Sequence, residues 1–411
     1  MKLLIITSEK LNPDNILTSI FELAQATILS RTYDVTILSV DLEASFFSSI
    51  KALLRNDRRG PGLLTVLRVL LAGRTRIHHY VIDGNKVVES EGFFWRSPKS
   101  FKPGLAGWIR TGMAGFDAYV EKNGTPDLVH AHGRFLYAGA LALAIKKKTG
   151  IKYIYTEHST YFQRGLVPTE AYAVCKEVID EAAAFIVVSK SLLQEMQRVL
   201  QTEFPRARII PNALDPAFER PIGSRPGEEK GDESFVFTVV AALEHKKGID
   251  VLVRAFGKAV AGKPQLFLNI CGDGPMKDEI ASFLASNGLE KRVRLLGKKT
   301  KEEVIAILNQ SDAFVLPSRI ETFGVVVIEA LSRGLPVVAT RSGGPEFILD
   351  DNCGILIEPE DAVALEAALV RMASDHRQFD RQGIQTYALT RYGSGKFLET
   401  MEKIYSEKTC S

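Results

Sequence analysis

The amino-acid sequence predicts an α/β protein with two consecutive parallel sheets. Short runs of β-branched residues alternate with amphipathic helical patterns along the 411 residues, and this alternation is typical of β-α-β units. A chain of this length favours two domains or more. Residues 215–234 lack periodicity and are rich in Pro, Gly and charge, as linkers between domains commonly are. We therefore predict two Rossmann-like domains joined by this linker.

Predicted strands lie on both sides of the linker. In the first half they lie at 2–7, 33–40, 76–82, 127–132, 152–157, 184–189 and 207–211. In the second half they lie at 235–243, 266–271, 293–297, 313–317, 336–340 and 354–358. Residues 395–405 have the apolar spacing of a helix. We expect a first domain at 1–214, a second domain at 235–390 and a terminal helical segment at 391–411.

The composition is that of an ordinary globular chain, with 45% hydrophobic and 25% charged residues. The net charge of +3 is too small to argue for a nucleic-acid partner. Four cysteines without CxxC spacing, at 175, 271, 353 and 410, are expected to be buried thiols in a reducing compartment. The apolar run at the N-terminus is too short for a signal peptide, and no stretch approaches the ~18 apolar residues of a membrane span. We expect a cytoplasmic protein, with the inner face of the cell membrane as a further option.

Residues 51–112 combine basic and large apolar side chains. This segment has twelve Lys or Arg and four acids, with leucines, phenylalanines, Trp95 and Trp108 interleaved. Such a surface can dock on anionic lipid. The alternative, which we favour for the leucines, is that the apolar residues are buried and the charges form a solvated face.

Two glutamates eight positions apart mark the predicted site. Glu321 follows an apolar strand at 313–317, and Glu329 lies in a helical segment that begins near Gly324 and ends at Arg333. The first N–H groups of such a helix suit a phosphate, and Glu329 is expected about 7 Å along the helix axis. A phosphate between two carboxylates suggests a sugar nucleotide. The alternative is a chance spacing, with one acid near the helix dipole and the other solvated.

Further motifs accompany the acid pair in a fixed order. They are His130-Ala-His132-Gly133, Tyr155-Thr-Glu-His158-Ser159, Ile210-Pro-Asn-Ala-Leu-Asp215, Lys247-Gly-Ile-Asp250, Gly272-Asp-Gly-Pro275, Val293-Arg-Leu-Leu-Gly297 and Gly343-Gly-Pro-Glu346. Together with the acid pair they resemble the retaining glycosyltransferases of family 4, and the resemblance covers nearly the whole chain. It implies a GT-B fold, in which two Rossmann-like domains face each other across a cleft and a C-terminal helix crosses back to the first domain.

The resemblance also implies roles for residues of the second domain. Lys247 matches the cation that faces the donor diphosphate, Glu321 the acid that contacts the donor sugar, and Glu329 the acid that holds the ribose hydroxyls. We expect Glu321, Lys247 and the first-domain residue His132 to be the catalytic residues. Further donor-binding residues are expected at Phe323, Gly324 and Val325, through their backbone N–H groups, and at Gly274, Lys299 and Arg319.

In the first domain, His132 ends a predicted strand at the edge where ligands bind. The resemblance implies a place near the donor sugar for this histidine, and His130 is expected to be buried support. Glu157 and His158 end the neighbouring strand and are candidates for contact with the acceptor or the donor, with the acceptor side preferred. Further acceptor-side candidates in the first βα loop are Lys10 and Asn15.

The sequence departs from the family pattern at two places. Ala242 stands where the family usually has an arginine that clamps the diphosphate, so that Arg319, Lys246 or Arg341 substitutes, transfer is slower, or the interpretation is wrong in detail. The first βα loop, residues 7–15, is not glycine-rich, so the acceptor is the least transferable property.

The function implied is retaining transfer of a sugar from a nucleotide-sugar, UDP-linked rather than GDP-linked, to a glycan or lipid-linked acceptor in cell-surface polysaccharide or glycolipid biosynthesis. The chain has no Walker A or DxD motif, so neither a metal nor another cofactor is implied. Three alternatives stay open. They are transfer to a small soluble acceptor, a GT-B sugar-nucleotide epimerase, and a non-catalytic nucleotide-sugar-binding protein.

Overall fold

The computed structural model describes residues 1–8, 11, 20–43, 75–93, 101–133, 135–221, 234–263 and 265–409. The predictions for Lys10 and Asn15, and for the parts of the basic segment at 51–74 and 94–100, lie outside these residues. The described chain contains two α/β sheets with helices packed against them. The prediction of two Rossmann-like domains is confirmed.

The described residues of the first domain form one sheet of eight strands. Its elements are β1 Lys2–Thr7, α1 Ile20–Leu29, β2 Asp34–Glu43, β3 Arg76–Ile82, β4 Asn85–Phe93, α2 Phe101–Asn123, β5 Leu128–Gly133, α3 Tyr137–Thr149, β6 Tyr153–Glu157, α4 Tyr172–Glu181, β7 Ala184–Val187, α5 Lys190–Leu200 and β8 Ala207–Ile209. The strand order is β3-β4-β2-β1-β5-β6-β7-β8. Strand β1 is therefore central, and its residues 3–7 are fully buried, as expected for a parallel strand covered on both faces.

One strand of this sheet was missed by the sequence analysis. Strand β4 pairs antiparallel with β3 through a two-residue turn at Asp83 and Gly84. Both turn residues have positive φ, 48° and 79°, which is the backbone that an Asp-Gly hairpin turn requires. The expectation of purely parallel strands in this domain was wrong at this edge, because the Asp-Gly signal was not used.

The second domain contains six parallel strands. Its elements are β9 Phe235–Val240, α6 Ile249–Gly262, β10 Leu266–Cys271, α7 Lys277–Ser286, β11 Val293–Gly297, α8 Lys301–Asn309, β12 Ala313–Leu316, α9 Val325–Ser332, β13 Val337–Thr340, α10 Pro345–Ile348, β14 Gly354–Ile357, α11 Ala362–Asp375 and α12 Arg381–Tyr392. The order is β11-β10-β9-β12-β13-β14. The chain reverses its direction of winding between β9 and β12, and ligands of such sheets bind at this kind of switch point.

The last helix, α13 Ser394–Thr409, packs on the first domain. Met401, Ile404 and Tyr405 are buried in a cluster with β1 residues. The Ser394 hydroxyl accepts a hydrogen bond from Arg31 of the first domain at 2.9 Å. The predicted return of a C-terminal helix to the first domain is confirmed.

Several predictions from composition can be compared with this fold. Cys175, Cys271 and Cys353 are buried free thiols, as expected, whereas Cys410 lies outside the described residues. Trp108 is only 5% exposed and belongs to the first-domain core, whereas Lys102 and Arg110 of the same helix are exposed. Among the described helices, none has the length and apolarity needed to cross a membrane.

Candidate functional site

Glu321 and Lys247 form an ion pair at the carboxyl ends of the second sheet. Lys247 Nζ lies 2.6 Å from Glu321 Oε2, and Ser318 Oγ donates to the same oxygen at 3.4 Å. Gly248 has a φ of 66°, and a Cβ added there would overlap the carbonyl of Pro317. Glycine therefore lets the loop after β9 approach the loop after β12, which brings Lys247 to Glu321.

The helix after Glu321 offers its N-terminus to the same site. Gly324, with a φ of 90°, precedes α9, and no side chain caps this end of the helix in the described chain. The first N–H groups, from Val325 onward, suit an anion. The side chain of Phe323 is 1% exposed and packs near Phe347 and Tyr392, with ring centroids 6.5 Å and 5.9 Å away. The buried ring of Phe323 thus anchors the loop between Glu321 and Gly324.

Glu329 is buried inside α9, at 6% exposure. Burial, joined by the negative charge of Asp215, raises the pKa of Glu329 to about 8, and the charge of Lys301 opposes this rise. Lys301 Nζ lies 2.6 Å from Asp215 Oδ2. Asp215 and Lys301 were not predicted as site residues. They come from the linker and from the start of α8, and no sequence spacing brings them to Glu329.

The first domain contributes two histidines that contact each other. Nδ1 of His132 lies 3.0 Å from Nε2 of His158, and the two side chains are 0% and 5% exposed. Burial lowers the pKa of His132 to about 3, so this ring is neutral at physiological pH. Nε2 of His132 is buried and has no hydrogen-bond partner among the described residues. This buried nitrogen of a neutral ring is therefore a candidate for a hydrogen bond to a ligand.

His130 has a supporting role, as predicted. Its Nδ1 lies 2.8 Å from the Tyr405 hydroxyl of α13, and its Nε2 lies 2.8 Å from the Thr156 hydroxyl. The ring also packs against that of His132, with centroids 4.1 Å apart. The C-terminal helix is thus connected to His132 through one buried ring.

The two half-sites meet across the domain boundary. The Thr322 hydroxyl, next to Glu321, donates to the carbonyl oxygen of His158 at 2.9 Å. The Gln163 amide donates to the carbonyl oxygen of Glu321 at 3.5 Å. The acid motif and the histidines, predicted separately, are therefore neighbours. Gln163 was missed, because a lone Gln in a loop carries no sequence signal for such a contact.

Glu157 does not face the acceptor side as expected. The side chain is fully buried and accepts hydrogen bonds from the backbone of His158 at 2.9 Å and Ser159 at 2.8 Å, and from the Tyr155 hydroxyl. Burial raises its pKa, and these donors oppose that rise. Glu157 is therefore a residue that positions His158, whereas His158 itself lies in the site.

The loop after β5 has an unusual backbone. Phe135 and Leu136 have φ values of 67° and 57°, which non-glycine residues rarely adopt and which cluster at functional sites. The Phe135 N–H donates to Glu157 at 3.4 Å. Glu157 thus also supports the loop that follows His132, and this feature was not predicted.

Arg319 does not serve as a free clamp for the diphosphate. The guanidinium donates to both carboxylate oxygens of Asp250, at 2.7 and 2.9 Å, and to Glu360. Burial raises the pKa of Asp250, but hydrogen bonds from arginine outweigh it and bring that pKa to about 2. These hydrogen bonds hold the start of α6, and the donor-binding role of Arg319 stays a prediction.

The other two candidates for replacing the arginine expected at Ala242 also have acidic neighbours. Lys246 Nζ lies 3.0 Å from Glu244, and Arg341 Nε lies 3.5 Å from Glu358. Lys247 is therefore the cation that the described chain places on the acid motif. In those same residues, no group of three His, Cys, Asp or Glu side chains could hold a metal ion.

Gly274 and Lys299 lie on neighbouring loops of the second domain. A Cβ added at Gly274 would lie 2.6 Å from the Leu243 carbonyl oxygen, so this glycine allows two loops to pack closely. Lys299 Nζ lies 3.0 Å from Glu303 Oε1 in the first turn of α8. Their roles toward the donor stay predictions.

Two Rossmann-like domains, with an uncapped helix N-terminus in the second and polar side chains beside it from the first, are the arrangement of the GT-B class of protein. Residues 18–218 match the family model described as Glycosyltransferase Family 4, and residues 224–388 match the model described as Glycosyl transferases group 1. The chain belongs to the family 4 glycosyltransferases.

Individual relatives agree with this assignment. Glycogen synthase of Mycobacterium tuberculosis is 27% identical over 274 residues, or 65% of each chain. The gpi3 subunit of phosphatidylinositol N-acetylglucosaminyltransferase from Schizosaccharomyces pombe is 26% identical over 238 residues, 57% of this chain and 51% of that protein. The matches thus span about half to two thirds of these relatives. The structure of Anabaena HepE in complex with UDP superposes with a TM-score of 0.69 at 17% identity, covering 99% of this chain and 100% of that one.

Proposed function

We propose that this protein is a retaining hexosyltransferase that moves a sugar from a nucleotide-sugar to a glycan or lipid-linked acceptor. The observation that carries the proposal is the contact between Thr322, beside Glu321, and the His158 backbone, 2.9 Å long. It brings a charged motif of one domain against the buried histidines of the other. Such an arrangement surrounds the bond that a transferase must break.

The donor half of the proposal assigns one group to each part of the nucleotide-sugar. Lys247 and the N–H groups at the start of α9 face the diphosphate, where negative charge develops as the bond breaks. The Glu329 carboxylate accepts hydrogen bonds from the ribose hydroxyls. Glu321, paired with Lys247 at 2.6 Å, contacts hydroxyls of the sugar, and its charge stabilises the oxocarbenium-like transition state.

Binding of a diphosphate would redistribute the ion pair between Lys247 and Glu321. The ammonium group has three donors, so it can keep Glu321 and gain a phosphate oxygen. The Ser318 hydroxyl, 3.4 Å from Glu321, offers a second partner to the carboxylate. The pair thus holds Glu321 in place before the donor arrives.

The proposed chemistry is attack on the same face that the leaving group departs from. The bond between the anomeric carbon and the diphosphate oxygen breaks, and the acceptor hydroxyl oxygen forms the new bond to that carbon. The acceptor proton passes to an oxygen of the leaving phosphate, so no protein nucleophile is needed. His132 Nε2, which has no partner in the described chain, forms a hydrogen bond with a hydroxyl of the donor sugar, as donor or acceptor according to its tautomer.

The donor base and the acceptor are proposed from the comparisons. A UDP donor is favoured because the Anabaena neighbour is a UDP complex. A glycan or a lipid-linked acceptor is favoured by the names of the two relatives, one a glycogen synthase and the other a phosphatidylinositol glycosyltransferase. The pathway proposed is cell-surface polysaccharide or glycolipid biosynthesis at the cytoplasmic side of a membrane.

The first test is a thermal-shift panel of UDP, GDP, ADP and their common sugar conjugates. A ligand that binds only the folded protein raises its melting temperature, so stabilisation by one nucleotide and its loss in Glu329→Ala would support the site. Radiolabelled donor is then incubated with glycan and lipid acceptors, and the anomer of the product is read by NMR. An inverted anomer, or release of free sugar whatever acceptor is supplied, would contradict retaining transfer.

The proposed transfer uses no divalent metal. We expect turnover to be unchanged after incubation with EDTA, because Lys247 and the helix N-terminus supply the positive charge at the diphosphate. Loss of turnover that Mg²⁺ restores would show that this assignment is incomplete.

A further inference from the structure

A cavity of about 440 Å³ lies at the junction of the two domains, among residues not used by the donor site. Its walls come from the segment that leaves the first domain, residues 209–213, from the end of α12 and from the first turns of α13. Phe347 of α10 closes another side. The volume lies within the range of small-molecule sites, roughly 300–1,000 Å³.

The lining combines apolar side chains with two cations. Ile210, Phe347 and Phe397 supply apolar surface, and Arg391 and Lys396 are exposed cations on the wall. Within the part of the chain that the structure describes, the Arg391 guanidinium forms no salt bridge, and it lies 5.0 Å from the ring centroid of Tyr387.

Lys396 has a shared carboxylate as its neighbour. Its Nζ lies 3.3 Å from Glu399, and that same glutamate is 2.6 Å from Lys403. One carboxylate between two ammonium groups leaves a net positive charge on this face of α13. The cavity therefore has an apolar body and a positive rim.

We propose that this cavity binds a small amphipathic anion, with one carboxylate, sulfonate or phosphate group on an apolar body. The anionic group contacts Arg391 and Lys396, and the apolar body packs against Ile210, Phe347 and Phe397. Arginine in particular can bind such groups through two parallel hydrogen bonds. The apolar body supplies most of the affinity, because the cations are partly solvated.

The cavity is connected to the donor loop through two rings. Phe347 and Tyr392 line the cavity, and both rings pack near Phe323, at 6.5 and 5.9 Å between centroids. Phe323 lies between Glu321 and Gly324 in the chain. An occupant that shifts either ring therefore shifts the support of the donor loop, and we infer that its binding is coupled to nucleotide binding. This coupling rests on the proposed function, whereas the anion site itself does not.

Two fluorescent probes of similar body and different charge test the site. We expect 8-anilinonaphthalene-1-sulfonate, an anion, and N-phenyl-1-naphthylamine, its neutral counterpart, to bind with one-to-one stoichiometry. The double substitution Arg391→Gln with Lys396→Gln should weaken binding of the anion roughly tenfold and change that of the neutral probe less than twofold. Lys403→Gln is the matched control, because it lies on the same helix and pairs with the same Glu399. Equal affinity of the anion for the wild type and the double variant would overturn the proposal.

A cavity-filling substitution locates the probes. Thr400→Trp places an indole in the space that Thr400 borders and should abolish binding of both probes. Circular dichroism and the melting temperature show whether this variant is folded. If it is not, Thr390→Trp on the exposed rim provides the same test. Undiminished probe binding in a folded tryptophan variant would place the probes elsewhere and refute the site.

Coupling and the source of the anion are tested separately. UDP at saturation should change the affinity of the anionic probe by the same factor by which the probe changes that of UDP. Unchanged affinities would refute the coupling, and absence of UDP binding would count against the proposed function while the probe result stands. The source of the anion is tested by competition. Displacement of the probe by decanoate but not by phosphatidylglycerol vesicles identifies a free anion. Displacement by both identifies a membrane lipid.

Discussion

The two halves of the site differ in how they hold their polar groups. In the second domain Glu321 and Lys247 are charged and paired at 2.6 Å. In the first domain His132 is fully buried, and burial lowers its pKa to about 3. The second-domain half of the site therefore presents charged side chains, and the first-domain half presents a neutral histidine ring. Under the proposed function, the difference assigns the charge of the substrate to the second domain and hydrogen bonds from neutral groups to the first.

The largest expected effect separates the two acids of the charged half. Glu321→Gln should lower kcat about 100-fold or more, because electrostatic stabilisation acts mainly in the transition state, and should leave UDP affinity within about threefold. Glu329→Ala should instead weaken UDP binding about tenfold, which corresponds to ~1.4 kcal/mol. Steady-state kinetics and calorimetry measure both, with the exposed Glu290→Gln as control. Equal losses of affinity in the two variants would refute this division of roles.

For the first-domain half of the site we expect a smaller loss of kcat on substitution, and a kcat that does not change with pH through this half. His132→Gln should lower kcat roughly tenfold, since the loss of one neutral hydrogen bond costs about 1–1.5 kcal/mol. Because burial lowers the pKa of His132 to about 3, wild-type kcat should show no titration of this group between about pH 5 and 8. His376→Gln, on the far side of the second domain beside Phe235, is the control. An acidic limb near pH 6.5 that disappears in His132→Gln would show that this histidine is charged in the working enzyme.

Glu329 gives the charged half a pH dependence of its own. Its pKa is raised from 4.5 to about 8 by burial. As pH rises, the unfolded chain therefore loses this proton at a lower pH than the folded protein does. Its contribution to the free energy of unfolding should therefore fall as pH rises from 4.5 to 8 and stay constant above that. Melting temperatures between pH 5 and 9 should fall less steeply in Glu329→Gln than in the wild type. Parallel curves for the two proteins would contradict the raised pKa.

Nucleotide binding should depend on the same proton. Ribose hydroxyls that donate to Glu329 favour its ionised form, so UDP binding below pH 8 should release a proton and tighten as pH rises. Calorimetry in two buffers with different ionisation enthalpies measures that proton. Equal apparent enthalpies in both buffers would count against it.

The smallest expected effect concerns the contact that joins the halves. Thr322→Val removes the hydrogen bond to the His158 carbonyl, which is 2.9 Å long, and a single such bond contributes about 1 kcal/mol. We expect kcat/KM to fall up to about fivefold and the domains to close less completely around the donor. Small-angle scattering with and without UDP measures closure. Thr386→Val, which loses a 2.9 Å bond within α12, is the control, and identical wild-type scattering curves with and without UDP would contradict closure.

The charged half was more predictable from sequence than the neutral half. Glu321, Glu329 and Lys247 lie in contiguous motifs whose local geometry follows from a strand, a turn and a helix. The charged neighbours of Glu329 could not be predicted in this way. They are Asp215 and Lys301, which come from distant parts of the chain. The pairing of Arg319 with Asp250 was not predicted for the same reason, since it spans 69 positions.

In the first domain, the sequence predicted the positions of His132 and His158 but not their environment. Their separation of 26 positions becomes a contact of 3.0 Å because β5 and β6 are parallel neighbours in register, with His132 opposite Thr156. The buried surroundings of His132 include the ring of His130, which in turn contacts Tyr405 of α13. A property produced by packing from the other end of the chain has no local sequence signal.

The way the chain crosses between the domains has a mechanical consequence. It leaves the first domain near Leu214 and returns at Ser394, and the Leu214 N–H donates to the carbonyl oxygen of Tyr392 at 2.7 Å. The two segments that cross between the domains are thus held side by side and act as a narrow joint. Such a joint resists sliding of one domain along the other. Rotation of the domains is therefore the softer motion. We therefore expect a rotation about this joint to carry Glu321 towards or away from His158 along a single path. The alignment of the two half-sites is therefore set by the joint, far from the residues that it aligns.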